Sequence, residues 1–465
     1  MRTTVTAALL ALLLAVPLLH AREASTLPVP PSGVLGVGDA QLTPAFWIGL
    51  QPQPDKVILD RSQIRAQNDA LFARDGSMHD LRKLPATLSA AQVRGWIEGL
   101  AQPPTRPLYD VEGKPVPAAT LEAIVDARAL DAVPASQKTR FGMVVRRAAL
   151  RSFPTTLRVF GEAGDTDIDR FQETAEFPGT PVVIAHASRD GRWLFVVSPR
   201  YAAWTEATNI AEGSRADVLA YVDKTPYRVV TGAKVYTVFT REAPAVSQVE
   251  LDMGTRVPVL TDLAADQPVN GQTPYAAHVI ELPVRKADGS LAFGPALIQK
   301  NADTAADYLP LTPRNLITQA FKFLGERYGW GHAYDGRDCS GFVSDVYRSM
   351  GVQMPRNTSS QGVSPAFAKQ AFAKGSAHEG RLQAAQALEL GDLIYIPGHV
   401  MLSLGQWQGQ PWVIHDVLGM SYRTADGSTR HVKLNAVSVT PLLPMLAGKD
   451  STFIDQMTGI VRMRP

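Results

Sequence analysis

The 465-residue chain holds a single cysteine, Cys339, so no intrachain disulfide framework can support its fold. It also lacks a charge surplus. Its 46 Lys and Arg stand against 44 Asp and Glu, a formal charge of +2, and no long run of one sign would suit a polyanion. Nucleic acid is therefore not an expected partner. Short-spaced Cys/His pairs of the kind that hold zinc are missing, so no metal is expected. Beyond the N-terminus no stretch is apolar enough to span a bilayer. At typical domain sizes the length leaves room for about three or four compact units.

What is present begins with "MRTTVTAALLALLLAVPLLHA": one arginine, an apolar run from Ala7 to Leu19 broken only by Pro17, and the small Ala21 at a cleavable position. Residues 1–21 read as a secretion signal, the run being shorter than the ~20 residues of a spanning helix. No cysteine follows it to carry a lipid. The mature protein is expected to be exported, periplasmic or secreted, without a membrane span.

Export sharpens the question posed by the lone thiol in "GRDCSGFVSDVYRSMG", since cysteines in oxidising compartments are commonly paired. Phe342, Val343, Val346, Tyr347 and Met350 recur at helical spacing, Ser344, Asp345, Arg348 and Ser349 fill the other face, and Gly351 ends the pattern. Cys339 then falls in the first turn, where unpaired N–H groups and the helix dipole favour a thiolate. The preceding "YGWGHAYDGRD" reads as a glycine loop open to a substrate backbone.

A thiolate attacking an amide needs an imidazole to protonate the leaving amine. "GHVMLSLG" and "PWVIHDV" read as two strands of a hairpin turning near Trp407 or Gln408, which places His399 and His415 on one face. His399 would serve as base and acid toward Cys339, and His415 would orient it. His332 and His431 are the rivals for the third role.

These segments, with "PRNTSSQ" and "LELGDLIYIP", resemble the bacterial NlpC/P60 cell-wall cysteine peptidases over residues 311–465. The resemblance implies an α+β fold with a papain-like catalytic domain, a Cys339, His399 and His415 triad, and Tyr328 beside the cysteine as an oxyanion donor. No cofactor is implied. It implies further that Asp338, also a good helix cap, meets a free L-alanine ammonium. Arg356 would grip the D-glutamate α-carboxylate, with Thr358 and Ser340 as further substrate contacts. His332 stands where the family has glycine and is expected to crowd or polarise the rim.

Upstream, alternating segments with Asp190-Gly191 and Asp288-Gly289 turns read as two small β-barrels, 151–222 and 223–305. They resemble the bacterial SH3-like (SH3b) domains found before such peptidases. That arrangement implies a tyrosine, here Tyr201, reaching the cleft, with an acid among Asp165, Asp167 and Asp169 beside it. Trp204 reads as barrel core. Residues 22–150 start extended and become helical, clearest in "LSAAQVRGWIEGLA", and serve as a stabilising region without chemistry.

The expected activity is hydrolysis of the γ-D-glutamyl to diamino-acid bond of peptidoglycan stem peptides by a monomer. Another amidase or acyltransferase on the same scaffold, or a wall-binding protein with a non-hydrolytic domain, are the alternatives.

Overall fold

The computed structural model describes residues 25–264, 266–448 and 451–464. The expected signal segment, 1–21, lies outside them. No helix among the described residues is long and apolar enough to cross a membrane.

The C-terminal third is built on a six-stranded antiparallel sheet. In spatial order its strands are Ala368–Ala371, Gly459–Arg462, Leu393–Ile396, His399–Trp407, Gln410–Arg423 and Thr429–Pro441. Helices Pro313–Phe321 and Cys339–Arg348 cover one face. The first starts as its sequence dictates: Thr312 Oγ1 accepts from Asn315 N–H at 3.2 Å, and Pro313 occupies the first position, where its missing N–H costs nothing.

The Cys339 helix is buried on all sides rather than on one. Phe342, Val343, Val346 and Tyr347 pack on the sheet, but Ser344 and Asp345 are buried too. The expected polar face is an interface. Arg337, fully buried, bonds Asp345 Oδ2 at 2.8 Å, Asp252 Oδ1 at 2.9 Å and Glu326 Oε1 at 3.0 Å, tying this helix to the second β unit. Buried charge is tolerated there because each carboxylate finds the same guanidinium.

The first β unit is a seven-stranded antiparallel sheet. Its order is Gln172–Glu176, Ala148–Arg151, Ala202–Glu206, Trp193–Val197, Pro181–Ala187, Arg140–Val144 and Ile210–Gly213. The unit thus starts at Arg140, before the boundary expected at 151, because the strand opened by Arg140 pairs on both sides, with Pro181–Ala187 and Ile210–Gly213. Trp204 is fully buried, and Val93 and Ile97 of helix Ala90–Leu100 pack onto the same core. The second unit, from Tyr227 to Ala305, has three small sheets around Val230, Val235, Leu251, Val257 and Ile280. Asp190-Gly191 and Asp288-Gly289 turn hairpins in the two units, each glycine at positive φ.

The N-terminal region is a brace. Helix Arg61–Arg74 ties to the end of the Cys339 helix through Arg61 Nη1 to Met350 O and Asn68 Nδ2 to Gly351 O, both 2.9 Å. Trp47 is fully buried against Trp412 of the sheet, ring centroids 5.7 Å apart.

Candidate active site

Asp338 begins the site. Its Oδ1 accepts from Gly341 N–H at 2.8 Å, which caps the helix and sets Cys339 at its first position. The sulfur is 4% exposed and lies 3.9 Å from Gly398 O, where the His399 strand starts. The hairpin brings the two histidines together by a route that parity alone misses. Gln408 and Gly409, both at positive φ, form a two-residue turn that pairs Trp407 with Gln410, so odd faces even. A bulge between Ser403 and Gly405 shifts the register, and beyond it Leu402 pairs with Ile414. His399 then falls diagonal to His415, and its Nε2 lies 2.8 Å from His415 Nδ1.

The hydrogen-bond chain fixes the tautomers. His415 Nε2 is 3.0 Å from Thr440 Oγ1, and Thr440 donates onward to Met445 Sδ at 3.1 Å. With the Thr440 proton committed to sulfur, its oxygen accepts from His415 Nε2–H, so His415 Nδ1 accepts from His399 Nε2–H. His399 Nδ1 is the ring nitrogen left to take the thiol proton.

The electrostatics differ from the expectation of a ready thiolate. Burial, reinforced by the charge of Asp338, pushes the Cys339 thiol up to about 12. Burial lowers His399 to about 4, and burial with the neighbouring His399 holds His415 well below its ordinary value. Both shifts favour a neutral thiol beside a neutral imidazole. The helix dipole, worth about 0.3–1 kcal/mol, is outweighed by desolvation of the sulfur. Tyr328 is buried at the same cleft, and burial followed by the Asp338 charge raises its pKa, so its hydroxyl remains a donor.

Asp338 and Arg356 line the cleft beside Cys339 but are already paired with each other. Arg356 is 3% exposed and spends all five N–H groups on protein. Nε bonds Thr174 Oγ1 at 2.6 Å, Nη1 bonds Ser340 Oγ at 2.7 Å and Asp338 Oδ1 at 3.1 Å. Nη2 bonds Asp338 Oδ2 at 2.7 Å and His332 Nδ1 at 2.9 Å. No donor remains for a D-glutamate carboxylate. Asp338 is equally committed: Oδ1 also accepts from Ser340 Oγ at 3.1 Å, and Oδ2 from Gly331 N–H at 3.0 Å. Burial would raise its pKa, but the Arg356 guanidinium brings it down to about 2, leaving a neutralised pair rather than a free anion. Ser340 is part of this cluster and, like Thr358, lines the cleft.

His332 is not at the rim. It is 4% exposed, adopts φ 62°, and lies under the site, where a Cβ on Gly341 would meet its Cε1 at 2.5 Å. Burial and Arg356 lower its pKa to about 3, so it stays neutral. The glycine loop also has another purpose. A Cβ on Gly331 would lie 2.9 Å from the Glu173 carbonyl carbon, and Trp330 Nε1 and Gly331 O bond Gln172 at 3.0 and 2.8 Å. The loop admits a strand of the first β unit, not only a substrate.

That strand delivers the acid that the sequence did not reveal. Glu173 lines the cleft, and its Oε2 accepts from the Tyr201 hydroxyl at 2.6 Å. Tyr201 reaches the catalytic domain at Asn357 Nδ2, 3.5 Å away. Asp165, Asp167 and Asp169 are not the partner: Asp169 pairs with Arg151 and Asp167 with Arg327, at 2.9 and 2.8 Å. Asp165 Oδ1 instead accepts from Asp167 N–H at 3.2 Å. Burial raises the Glu173 pKa against the Tyr201 hydrogen bond. The cleft measures about 850 Å³ and is lined by Glu173, Tyr328, Trp330, Cys339, Thr358 and Gly398 among others. A further acid, Asp416, is buried beside His415 with neither oxygen partnered, and burial raises its pKa well above the usual range. Among the described residues no three His, Cys, Asp or Glu side chains converge as a metal site.

The site agrees with what the chain is similar to. The NlpC/P60 family matches residues 325–438, which include Cys339, His399 and His415, and the SH3 domain of the SH3b1 type matches 158–206. No curated protein matches the chain. Among solved structures it is similar to an NlpC/P60 endopeptidase from Photobacterium damselae subsp. piscicida, with 16% identity and a TM-score of 0.69. That similarity covers 88% of this chain and 94% of the other, and it speaks for the fold. An NlpC/P60 family protein from Bacillus cereus ATCC 10987 is 20% identical over 70% of this chain and 100% of its own, with a TM-score of 0.45. The sheet, the cysteine helix and the paired histidines thus form a papain-like NlpC/P60 family domain, and the chain carries it together with an SH3b domain.

Proposed function

We propose that the protein is a cysteine peptidase that hydrolyses the γ-D-glutamyl to diamino-acid bond of peptidoglycan stem peptides bearing a free N-terminal L-alanine. The observation that carries this reading is Glu173, an acid brought by the SH3b domain into the cleft of Cys339 and held there by Tyr201. A half-buried carboxylate lining a peptide-sized cleft is satisfied by an ammonium. This gives Glu173 the role that Asp338 cannot fill.

The chemistry follows from the neutral pair. As the sulfur attacks the γ-carbonyl carbon, its proton passes to His399 Nδ1, and the C=O electrons move to oxygen. The Cys339 backbone N–H and the Tyr328 hydroxyl are the donors for that oxyanion. Collapse breaks the C–N bond, the amine leaves with the proton from His399, and a thioester remains. Water then adds, gives its proton to the same nitrogen, and releases the D-glutamyl carboxylate and the thiol. His415 keeps its ring in register throughout.

The three small sheets around one apolar core in the second β unit support reading it as another SH3-like barrel. The apolar N-terminus supports export. An acid that demands a free amino terminus points to peptides already released from glycan. Digestion of tri- and tetrapeptides with free and acetylated amino termini, followed by mass spectrometry, tests the reading. Efficient cleavage of intact sacculi, with no preference for a free terminus, would overturn it.

A further inference from the structure

The two ends of the cleft are chemically different. One wall, the Thr358–Gln361 helix, is anchored by Gln361 Nε2, which bonds Pro355 O at 2.9 Å and Ser344 Oγ at 3.0 Å. It begins at Asn357, next to Tyr201 and Glu173, and runs to Val363, whose carbonyl accepts from Lys369 Nζ. Lys369 belongs to Ala368–Ala371, an edge strand of the catalytic sheet. The opposite edge, Thr429–Pro441, is where Asp167 of the SH3b domain meets Lys433 at 3.3 Å. Cys339 lies between, at the start of the His399 strand.

Three cationic side chains line this cleft: Arg170, Arg356 and Lys369. Arg356 has no donor to give. Arg170 is close in sequence to Glu173 and sits at that end. Lys369 is the cation at the far end. Its ammonium is held by two backbone carbonyls, Val363 and Ser364, the second at 3.3 Å, which leaves one of its three N–H donors. The carboxylate that feels its charge, Asp75, is already bonded to Ser77 through N–H and hydroxyl, at 3.0 and 2.6 Å.

We propose that Lys369 receives a carboxylate on the residue that follows the scissile bond, making the enzyme selective for stem peptides whose diamino acid presents a free carboxylate there. The proposal rests on the bond assignment above. A peptide with its ammonium at Glu173 and a carboxylate at Lys369 lies across Cys339 in one direction, so the two charges set polarity as well as affinity. The carboxylate is either the chain terminus of a tripeptide or the side chain of a diamino-dicarboxylic acid. Both present the same chemistry to an ammonium.

The test uses the purified chain and three peptides, L-Ala-γ-D-Glu-meso-diaminopimelate and its two forms amidated singly at the terminal or the side-chain carboxyl. One amidation should lower kcat/KM by roughly fivefold, mostly through KM, the size of a solvent-screened charge pair. The sensitive position identifies the source. Lys369→Ala should cleave the free peptide with the same reduced efficiency and lose the discrimination, and Lys369→Arg should restore it. An unsubstituted enzyme indifferent to both amidations, or a Lys369→Ala variant that keeps the full preference, would overturn the proposal. Failure of the unsubstituted enzyme to cleave any of the three would overturn the bond assignment, and this inference with it.

Discussion

Glu173→Gln separates the charge of this acid from everything else it does. The amide oxygen still accepts from Tyr201, and the volume is unchanged, so the SH3b strand should dock as before. What is lost is a charge-assisted hydrogen bond to the substrate ammonium, worth about 1.5–3 kcal/mol. At about 1.36 kcal/mol per decade this is a loss of about 10- to 150-fold in kcat/KM. The loss should apply only to peptides with a free L-alanine amine. Their N-acetyl analogues, poor for the unsubstituted enzyme, should be no worse for the variant. pH provides a second signature. Because burial raises the Glu173 pKa above its ordinary 4.5, the native preference for a free amine should fade as acidification protonates the acid, and the variant should lack that fading. Steady-state kinetics on the paired peptides decide the matter. Unchanged kcat/KM for the free peptide in Glu173→Gln would mean that the ammonium is bound elsewhere.

The resting site is a neutral pair, so alkylation of Cys339 by iodoacetamide should climb through the neutral and alkaline range, since the free thiol is held up to about 12. A plateau extending to acid pH would signal a preformed thiolate and imidazolium. Peptidase activity should fall as pH drops toward about 4, where His399 acquires the proton that it must be free to accept. Arg356→Ala strands the buried Asp338 carboxylate and should cost about 3–5 kcal/mol in denaturant unfolding, with Arg356→Lys intermediate because one ammonium cannot replace five N–H donors. An Arg356→Ala protein of native stability but impaired activity would return the guanidinium to a substrate role.

Legibility divides along how far each property reaches through the chain. The cysteine helix, its Asp338 cap, the Thr312-Pro313 start and the Asp-Gly hairpins were readable because each is decided within a few residues. The His399 and His415 pairing was reached from strand parity, yet a two-residue turn alone would have put the histidines on opposite faces. The bulge at Ser403 and Gly405 supplies the missing step of register, and nothing in "HVMLSLGQW" marks it except a glycine at positive φ. Glu173 was hidden more deeply. It lies in "QETAE", an unremarkable strand, and reaches the cleft of Cys339 because Gly331 lets that strand approach the loop before the cysteine.

The thiol shows why local reasoning can also give the wrong sign. A helix N-terminus acts on Cys339 over one turn and favours the anion by a fraction of a kcal/mol to about one. Burial acts through the core that packs Cys339 with Phe342, Val400 and Leu402, and it disfavours the same anion by more. The charge of Asp338 adds to burial, and Arg356 offsets only part of it. Considered alone, the sulfur is therefore poorly placed to be a thiolate. His399, at the start of the strand that the sulfur meets, has its own ionisation opposed by burial too. The cost of separating charge then falls on the step where substrate, oxyanion donors and the Glu173 contact are all in place to offset it. On the proposed function, selection of the peptide and activation of the thiol become one event.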